Sequence, residues 1–280
     1  MQGKTVVITG ATSGIGKVAA DHLARQGARI AFIARDRSRG EQTLEELEAL
    51  APNQGHTLHC ADLSSISEMR RVAKSIADRA RTIDVLINNA GAIFSAREMT
   101  EEGLEKTFAT NHMAYFVLTH MLLEPLRAAR AARVICTASG AYRRARLDFG
   151  DLQSLNRCTG FGRYERSKLM NILFTRELAR RLQGTGVTAN CFHPGFVATR
   201  FGESSSGLTS LLLKHAKKFA LSPEQGAQTL IYLARSAEVA ELTGRYFYEC
   251  KPAKLMKKAQ DDVDARRLWD ASVTLSGLGG

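Results

Sequence analysis

Residues 5–16 constrain this chain more than any other stretch. Thr5-Val6-Val7-Ile8-Thr9 is a β-branched run that reads as a strand, and it passes directly into Gly10-Ala11-Thr12-Ser13-Gly14-Ile15-Gly16. A helix opens there, with Val18, Ala19, His22 and Leu23 on one face. Strand, glycine turn and helix in that order form the frame that cradles a pyrophosphate. Gly10 allows a tight turn, Gly14 lets the backbone approach the phosphates, and Gly16 permits close helix–strand packing. The helix start, with Thr12, Ser13 and Ile15 around it, offers unpaired N–H groups and the positive end of a dipole to the anion. The spacing is GxxxGxG rather than GxGxxG.

Beyond this turn, short apolar runs alternate with longer helical stretches. Strands are expected at 29–34, 56–60, 84–87, 133–137, 187–192 and 245–248. Helices are expected at 14–27, 41–50, 65–79, along a continuous stretch through 111–126, and at 164–182 and 223–234. The strands are mostly apolar rather than alternating, which is the pattern of a parallel sheet covered on both faces. Right-handed crossovers then give a doubly wound (Rossmann) α/β fold of about seven strands, read as a single domain over 1–280. The segments 142–162 and 202–222 follow strand ends and are candidate substrate loops, with a lid at about 200–222 and a C-terminal extension at about 250–280. Within 207–220, Leu208, Leu211, Leu212, Leu213 and Phe219 alternate with Lys214, Lys217 and Lys218. As a helix this is basic and amphipathic; a lid over the pocket is the favoured reading, with peripheral contact to a lipid surface as the other.

Composition closes several routes. Lys and Arg number 39 against 28 Asp and Glu, a formal charge of +11, but the basic runs are not interleaved with aromatics, so no nucleic-acid partner is expected. No apolar run approaches a membrane span, and the chain enters its first strand at once, so neither an anchor nor a signal peptide is expected. Five scattered cysteines without a CxxC pair argue against a disulfide scaffold or zinc ribbon and for a reducing, cytoplasmic setting. His112 and His193 lack metal-ligand spacing and read as structural; no metal is expected.

The second strand ends Ile33-Ala34-Arg35, with no carboxylate at Ala34 to meet an adenine-ribose hydroxyl. Arg35 can fork two N–H donors onto a 2′-phosphate, Arg39 lies one helical turn on, and NADP(H) is the expected cofactor; Asp36 is the residue that opposes this choice. Further along, Tyr164 and Lys168 stand four apart, on one face of a helix. A phenol near pKa 10 is a poor proton carrier at neutral pH, and a neighbouring ammonium favours its phenolate. Tyr164 could then exchange a proton with a substrate oxygen while a nicotinamide moves a hydride.

Taken together, Thr9–Gly16, Asn88-Asn89-Ala90-Gly91, Asn111, Ser139, Tyr164/Lys168 and Pro194-Gly195 resemble the short-chain dehydrogenase/reductase family. The stretch 164–182, Asn111-His112, His193-Pro194-Gly195, 224–229, 243–247, Cys250-Lys251 and Arg267-Leu268-Trp269 resemble its retinol dehydrogenase-like branch. The resemblance implies Tyr164 as general acid/base and Lys168 as the group that lowers its pKa and holds the nicotinamide ribose. It implies Ser139 as the substrate-oxygen partner and Asn111 as support for a water and proton relay. Asn89, Ala90 and Gly91 would line the cofactor, Asp62 and Leu63 would meet adenine, and Pro194, Gly195, Val197 and Thr199 the nicotinamide amide. Arg35 matches the arginine of NADP-preferring members. A homo-oligomer through 101–126 and 162–182 is also implied. The spacing of 25 residues from Ser139 to Tyr164 follows the branch. Two places depart from it: Met113-Ala114-Tyr115-Phe116 after Asn111-His112, and Tyr142 after Ser139, both expected near the pocket mouth. The expected function is an NADP(H)-dependent interconversion of a lipophilic alcohol and its carbonyl. The alternative is a catalytically silent NADP-binding sensor or scaffold.

Overall fold

The computed structural model describes residues 1–156, 158–197 and 221–279. The expected lid and amphipathic segment at 200–220, and Thr199, lie outside the described residues. An eight-stranded sheet carries the order β3-β2-β1-β4-β5-β6-β7-β8. Its strands are β1 (Thr5–Thr9), β2 (Arg29–Ala34), β3 (Thr57–Cys60), β4 (Val85–Asn88), β5 (Arg133–Thr137), β6 (Thr188–Phe192), β7 (Tyr246–Tyr248) and β8 (Lys251–Pro252). The first seven pair in parallel; β8 returns antiparallel on β7.

The apolar strands are apolar because both sheet faces are covered. Along β1, Val6 and Ile8 point into one core and Val7 into the other, and none is solvent-accessible. The first core is closed by α1 (Gly14–Arg25), α2 (Arg37–Leu50) and α8 (Pro223–Arg235). The second is closed by α3 (Ile66–Ala77), α5 (Ala114–Met121), α7 (Gly160–Arg181) and α9 (Asp262–Ser276). No helix among the described residues is long and apolar enough to cross a membrane.

Three expectations need correction. The strand β8 has no sequence signal, because its hairpin turn uses Glu249 and Cys250 at φ 49° and 60° where an Asn-Gly or Gly-Gly pair would advertise such a turn. The stretch 111–126 is not one helix. It runs through α4 (Lys106–Phe108), a π-turn at Ala109–Met113, α5, and, after a break at Leu122, α6 (Leu123–Ala128). Pro125 sits in the first turn of α6, where its missing N–H costs nothing, but it could not have donated to residue 121 within a continuous helix. The third concerns Met113–Phe116 and Tyr142, which are buried rather than placed at a pocket mouth.

The C-terminal extension is part of the second core. Trp269 of α9 stacks on Phe174 of α7 with centroids 5.9 Å apart, and Arg181 lies 4.5 Å over its ring. Part of α7 is thus covered by the chain's own α9.

At the start of α7, Arg163 is buried against Glu105, whose carboxylate is fully buried at 3.2 Å. Glu105 also accepts from Phe108 N at 2.9 Å and Thr107 Oγ1 at 3.0 Å, while Arg163 donates to the Cys158 carbonyl at 2.8 Å and the Ser95 carbonyl at 3.2 Å. This network fastens the loop after β4 to the helix that carries Tyr164. Glu105→Ala strands a buried guanidinium and is expected to cost about 3–5 kcal/mol in urea unfolding; a loss below about 1 kcal/mol would show that the pair does not hold the loop.

Candidate active site

The glycine turn crosses the carboxyl end of β1 with Gly10 at φ 73° and Gly14 at φ 57°. A Cβ on Gly16 would sit 2.2 Å from the Gly10 carbonyl oxygen and 2.5 Å from Asn89 Nδ2, so no side chain fits there without opening the turn. Ser13 takes the N-cap position of α1 in an extended conformation but makes no side-chain cap. The first-turn N–H groups of α1 therefore receive no side-chain cap from Ser13.

A cavity of about 390 Å³ opens beside this turn, lined by Thr12, Ser13, Gly14, Lys17, Arg39, Gln42, Thr43 and Glu46. Arg35 is exposed at the end of β2 and is not among its lining residues. Asp36 is engaged as the N-cap of α2, accepting from Arg39 N at 2.9 Å. Its carboxylate thus has a structural use, while its backbone stays extended at φ −91° and ψ 117°. Lys17 went unnoticed in the sequence: it pairs with Asp21 at 2.9 Å and Glu46 at 2.8 Å within the cavity wall. Its signal was its position in the first turn after Gly16.

Asn89 staples three strand ends together. Its backbone N–H and that of Ala90 donate to Thr9 Oγ1 at 2.8 and 2.9 Å. Its side chain donates to the Thr9 carbonyl at 3.0 Å and accepts from Thr137 Oγ1 at 3.2 Å. Gly91 follows in a gap between Asn111 Oδ1 and Lys168 Nζ, which would lie 3.2 and 3.4 Å from an added Cβ. Asp62 and Leu63 lie beyond β3; Asp62 is exposed and accepts from Ser64 N at 2.9 Å, whereas Leu63 is buried.

Ser139 follows β5 and caps a 3-10 turn at Gly140–Arg144, accepting from Ala141 N at 3.2 Å. It also hydrogen-bonds the Tyr164 hydroxyl; burial raises that phenol, and with this bond opposing the rise it is pushed up to about 12. Lys168 Nζ lies 5.5 Å from the Tyr164 ring centroid and donates to the Thr137 carbonyl at 3.0 Å. Burial lowers Lys168 to about 7. Desolvation thus dominates both groups, where sequence reasoning considered only the ammonium's pull on the phenol. Asn111, in the π-turn, donates to the Ala92 carbonyl at 2.9 Å and to Ser167 Oγ at 3.1 Å, and accepts from Ala92 N at 2.8 Å. It stands across Gly91 from Lys168.

Beyond β6, Gly195 turns at φ 84°, its N–H donating to His193 Nδ1 at 3.2 Å, and His193 stacks on Tyr248 at 4.9 Å. Val197 bridges to Leu221 and presses on Gly226 of α8, where an added Cβ would lie 2.5 Å from Val197 Cγ2 and 3.0 Å from Ile15 Cγ2. The Pro194–Val197 turn and the glycine turn therefore converge. Among the described residues no His, Cys, Asp or Glu group could hold a metal.

Comparison with known proteins agrees with this geometry. Residues 4–207 match the short chain dehydrogenase family model. The chain belongs to that family. Retinol dehydrogenase 14 of Homo sapiens is 40% identical over 296 residues, covering 99% of this chain and 88% of the relative. Retinol dehydrogenase 12 of Mus musculus is 41% identical over 277 residues, covering 99% and 87%. These likenesses place the chain in the retinol dehydrogenase-like branch, and it is an oxidoreductase. A solved, uncharacterised protein from Mycobacterium Paratuberculosis superposes with a TM-score of 0.77 at 31% identity, covering 99% of this chain and 94% of that one. A short chain dehydrogenase from Burkholderia cenocepacia, solved in complex with NADP, superposes at 0.70 with 24% identity, covering 88% and 96%.

The buried ammonium has a thermodynamic signature. A lysine whose folded pKa is lowered from 10.5 to about 7 binds fewer protons than the unfolded chain between those values. Its burial therefore opposes folding most below pH 7, and that opposition is relieved as pH rises toward 10.5. Thermal melting across pH 7–9.5 is expected to show Lys168→Met losing an upward contribution that the parent chain has; parallel curves would exclude a neutralised Lys168.

Proposed function

We propose that this chain is an NADP(H)-dependent oxidoreductase that interconverts a lipophilic alcohol and its aldehyde or ketone, with Tyr164 as general acid/base. The observation that carries this reading is the Tyr164 hydroxyl bonded to Ser139, with Lys168 beneath the same ring and the glycine turn at the same carboxyl end of the sheet. Gly10, Thr12, Ser13, Gly14, Ile15 and Gly16 would hold the pyrophosphate. Asn89, Ala90, Gly91, Pro194, Gly195 and Val197 would border the nicotinamide, and Asp62 and Leu63 the adenine. NADP(H), when bound, supplies or accepts the hydride.

In reduction, the Ser139 hydroxyl orients the carbonyl oxygen. The Tyr164 O–H passes its proton to that oxygen as the carbon gains the hydride, leaving a phenolate beside the Lys168 ammonium. Oxidation runs the same path backward, with the phenolate taking the alcohol proton. Asn111, fixed by Ala92 and Ser167, lines the route by which Tyr164 and Lys168 recover protons. A lipophilic substrate is supported by Phe161 and Phe196, exposed at 48% and 52%, with Phe161 only 5.9 Å from the Tyr164 ring. The NADP choice is supported by Arg35 and by Arg39 in the cavity wall, and by NADP in a solved structural neighbour.

NADPH oxidation against retinal, medium- and long-chain aldehydes and bulky ketones tests the reading, with NADH in parallel. Tyr164→Phe is expected to lower turnover at least about a thousandfold, the upper part of the range for a lost general acid, while NADPH binding persists; retained turnover would sink the mechanism. Silence of the parent chain across the panel, with NADPH still bound, would favour the sensor or scaffold. Arg35→Asp removes a charge-assisted phosphate contact and is expected to raise the KM for NADPH about tenfold or more with little change for NADH. Equal effects on both cofactors would remove Arg35 as the selector.

A further inference from the structure

Lys168 is 1% exposed, and among the described residues no carboxylate pairs with it. Its ammonium has the Thr137 carbonyl at 3.0 Å and two aromatic faces: Tyr164, 5.5 Å to the ring centroid, and Tyr115, 5.7 Å. Tyr115 comes from α5 and is itself buried.

The remaining groups around Lys168 carry no net charge at neutral pH. The Cys136 thiol on β5 is pushed up to about 11 by burial, and His112 in the π-turn is pulled down to about 3. On β6, burial likewise raises Cys191, and at the start of α7 Glu105 and Arg163 neutralise each other. Burial also raises the Tyr115 phenol well above its ordinary value, so it cannot serve as a counter-anion. Its hydroxyl lies near Thr137 without a well-formed hydrogen bond. What Tyr115 offers the ammonium is its π face, within the range at which ring quadrupoles attract cations and strongest where both partners are desolvated.

We propose that Tyr115 is a positioning residue whose ring face holds Lys168 in its charged form and so sets the pH at which the Tyr164–Lys168 pair works. This rests on the proposed function above, in which Tyr164 carries the proton. A weaker π face leaves Lys168 less often charged. A less charged Lys168 stabilises the Tyr164 phenolate less, so the acidic limb of alcohol oxidation moves to higher pH.

The test is the pH profile of kcat for NADP-dependent oxidation of an alcohol that the parent enzyme turns over. Position 115 is occupied in turn by tyrosine, by phenylalanine (Tyr115→Phe) and by phenylalanines carrying one, two and three ring fluorines, which weaken the quadrupole at nearly constant shape. Melting temperature and NADPH binding confirm that each variant is folded. Tyr115→Phe is expected to leave the limb in place, and the fluorine series to move it upward stepwise, by about one pH unit in all. Tyr115→Leu, where it folds, is expected to match the far end of the series. A limb that stays fixed across the fluorine series overturns the proposal, as does a full shift on Tyr115→Phe alone, which would assign the effect to the hydroxyl. Tyr164→Phe is run alongside: if it turns over, the reading of the site has failed; if it is dead while the series is flat, only the role of Tyr115 has failed.

Discussion

An ammonium taken out of water is the constraint around which this structure is arranged. Transfer of Lys168 into the interior costs several kcal/mol unless other dipoles replace its hydration. The fold supplies those dipoles from three directions, with a fourth polar group nearby. Thr137 presents a carbonyl from the end of β5, shared with Asn171 at 3.3 Å. Tyr164 presents a ring from the same helix and Tyr115 one from α5. Asn111 reaches the far side of Gly91 from a π-turn. A regular α-helix through 106–121 would carry Asn111 in a different direction, which fits the frequency of π-turns at functional sites. The lysine is left titrating near neutrality, a poor arrangement for stability and a suitable one for proton transfer.

The second requirement is that this polar centre keep its distance from the glycine turn. Neighbouring strand ends in a parallel sheet are free to splay past their last ladder bond. Here Asn89 and Thr9 prevent it, since one side chain and one hydroxyl join the ends of β1, β4 and β5. The same Asn89 amide lies against the space a Gly16 side chain would need. The glycine turn and the strand ends beside Lys168 are therefore braced on a common atom group.

Much of this was legible beforehand because it depends on local pattern. Strand, glycine turn and helix are neighbours in sequence, and Tyr164 and Lys168 meet through helical periodicity alone. The unread parts are of two kinds. Some turn on a conformation the residue type does not advertise: Glu249 and Cys250 in left-handed geometry, or a π-turn inside a pattern that looks like one helix. Others turn on competition for a side chain. Asp36 opposes the NADP choice in sequence, yet one of its oxygens caps α2, and the unremarked Lys17 is drawn into a cavity wall by Asp21 and Glu46. Burial was the largest omission. It raises Tyr164 and lowers Lys168 by desolvation, a long-range consequence of packing that a spacing of four cannot report.

The C-terminal extension shows how far that packing reaches. Ser272 of α9 donates to the Leu268 carbonyl at 2.7 Å, so its oxygen is left to accept from His112 Nε2 at 2.9 Å. His112 is held neutral by burial, and it immediately follows Asn111 in the π-turn. Phe116 of α5 packs edge-on against Trp269 at 5.1 Å, one residue after Tyr115. Both residues that flank Lys168 from the π-turn side are thus positioned by neighbours bound to α9. A segment that resembles an appendage in sequence sets the register of the helix pair around the ammonium, so loosening α9 would disturb Asn111 and Tyr115 before it disturbed the sheet.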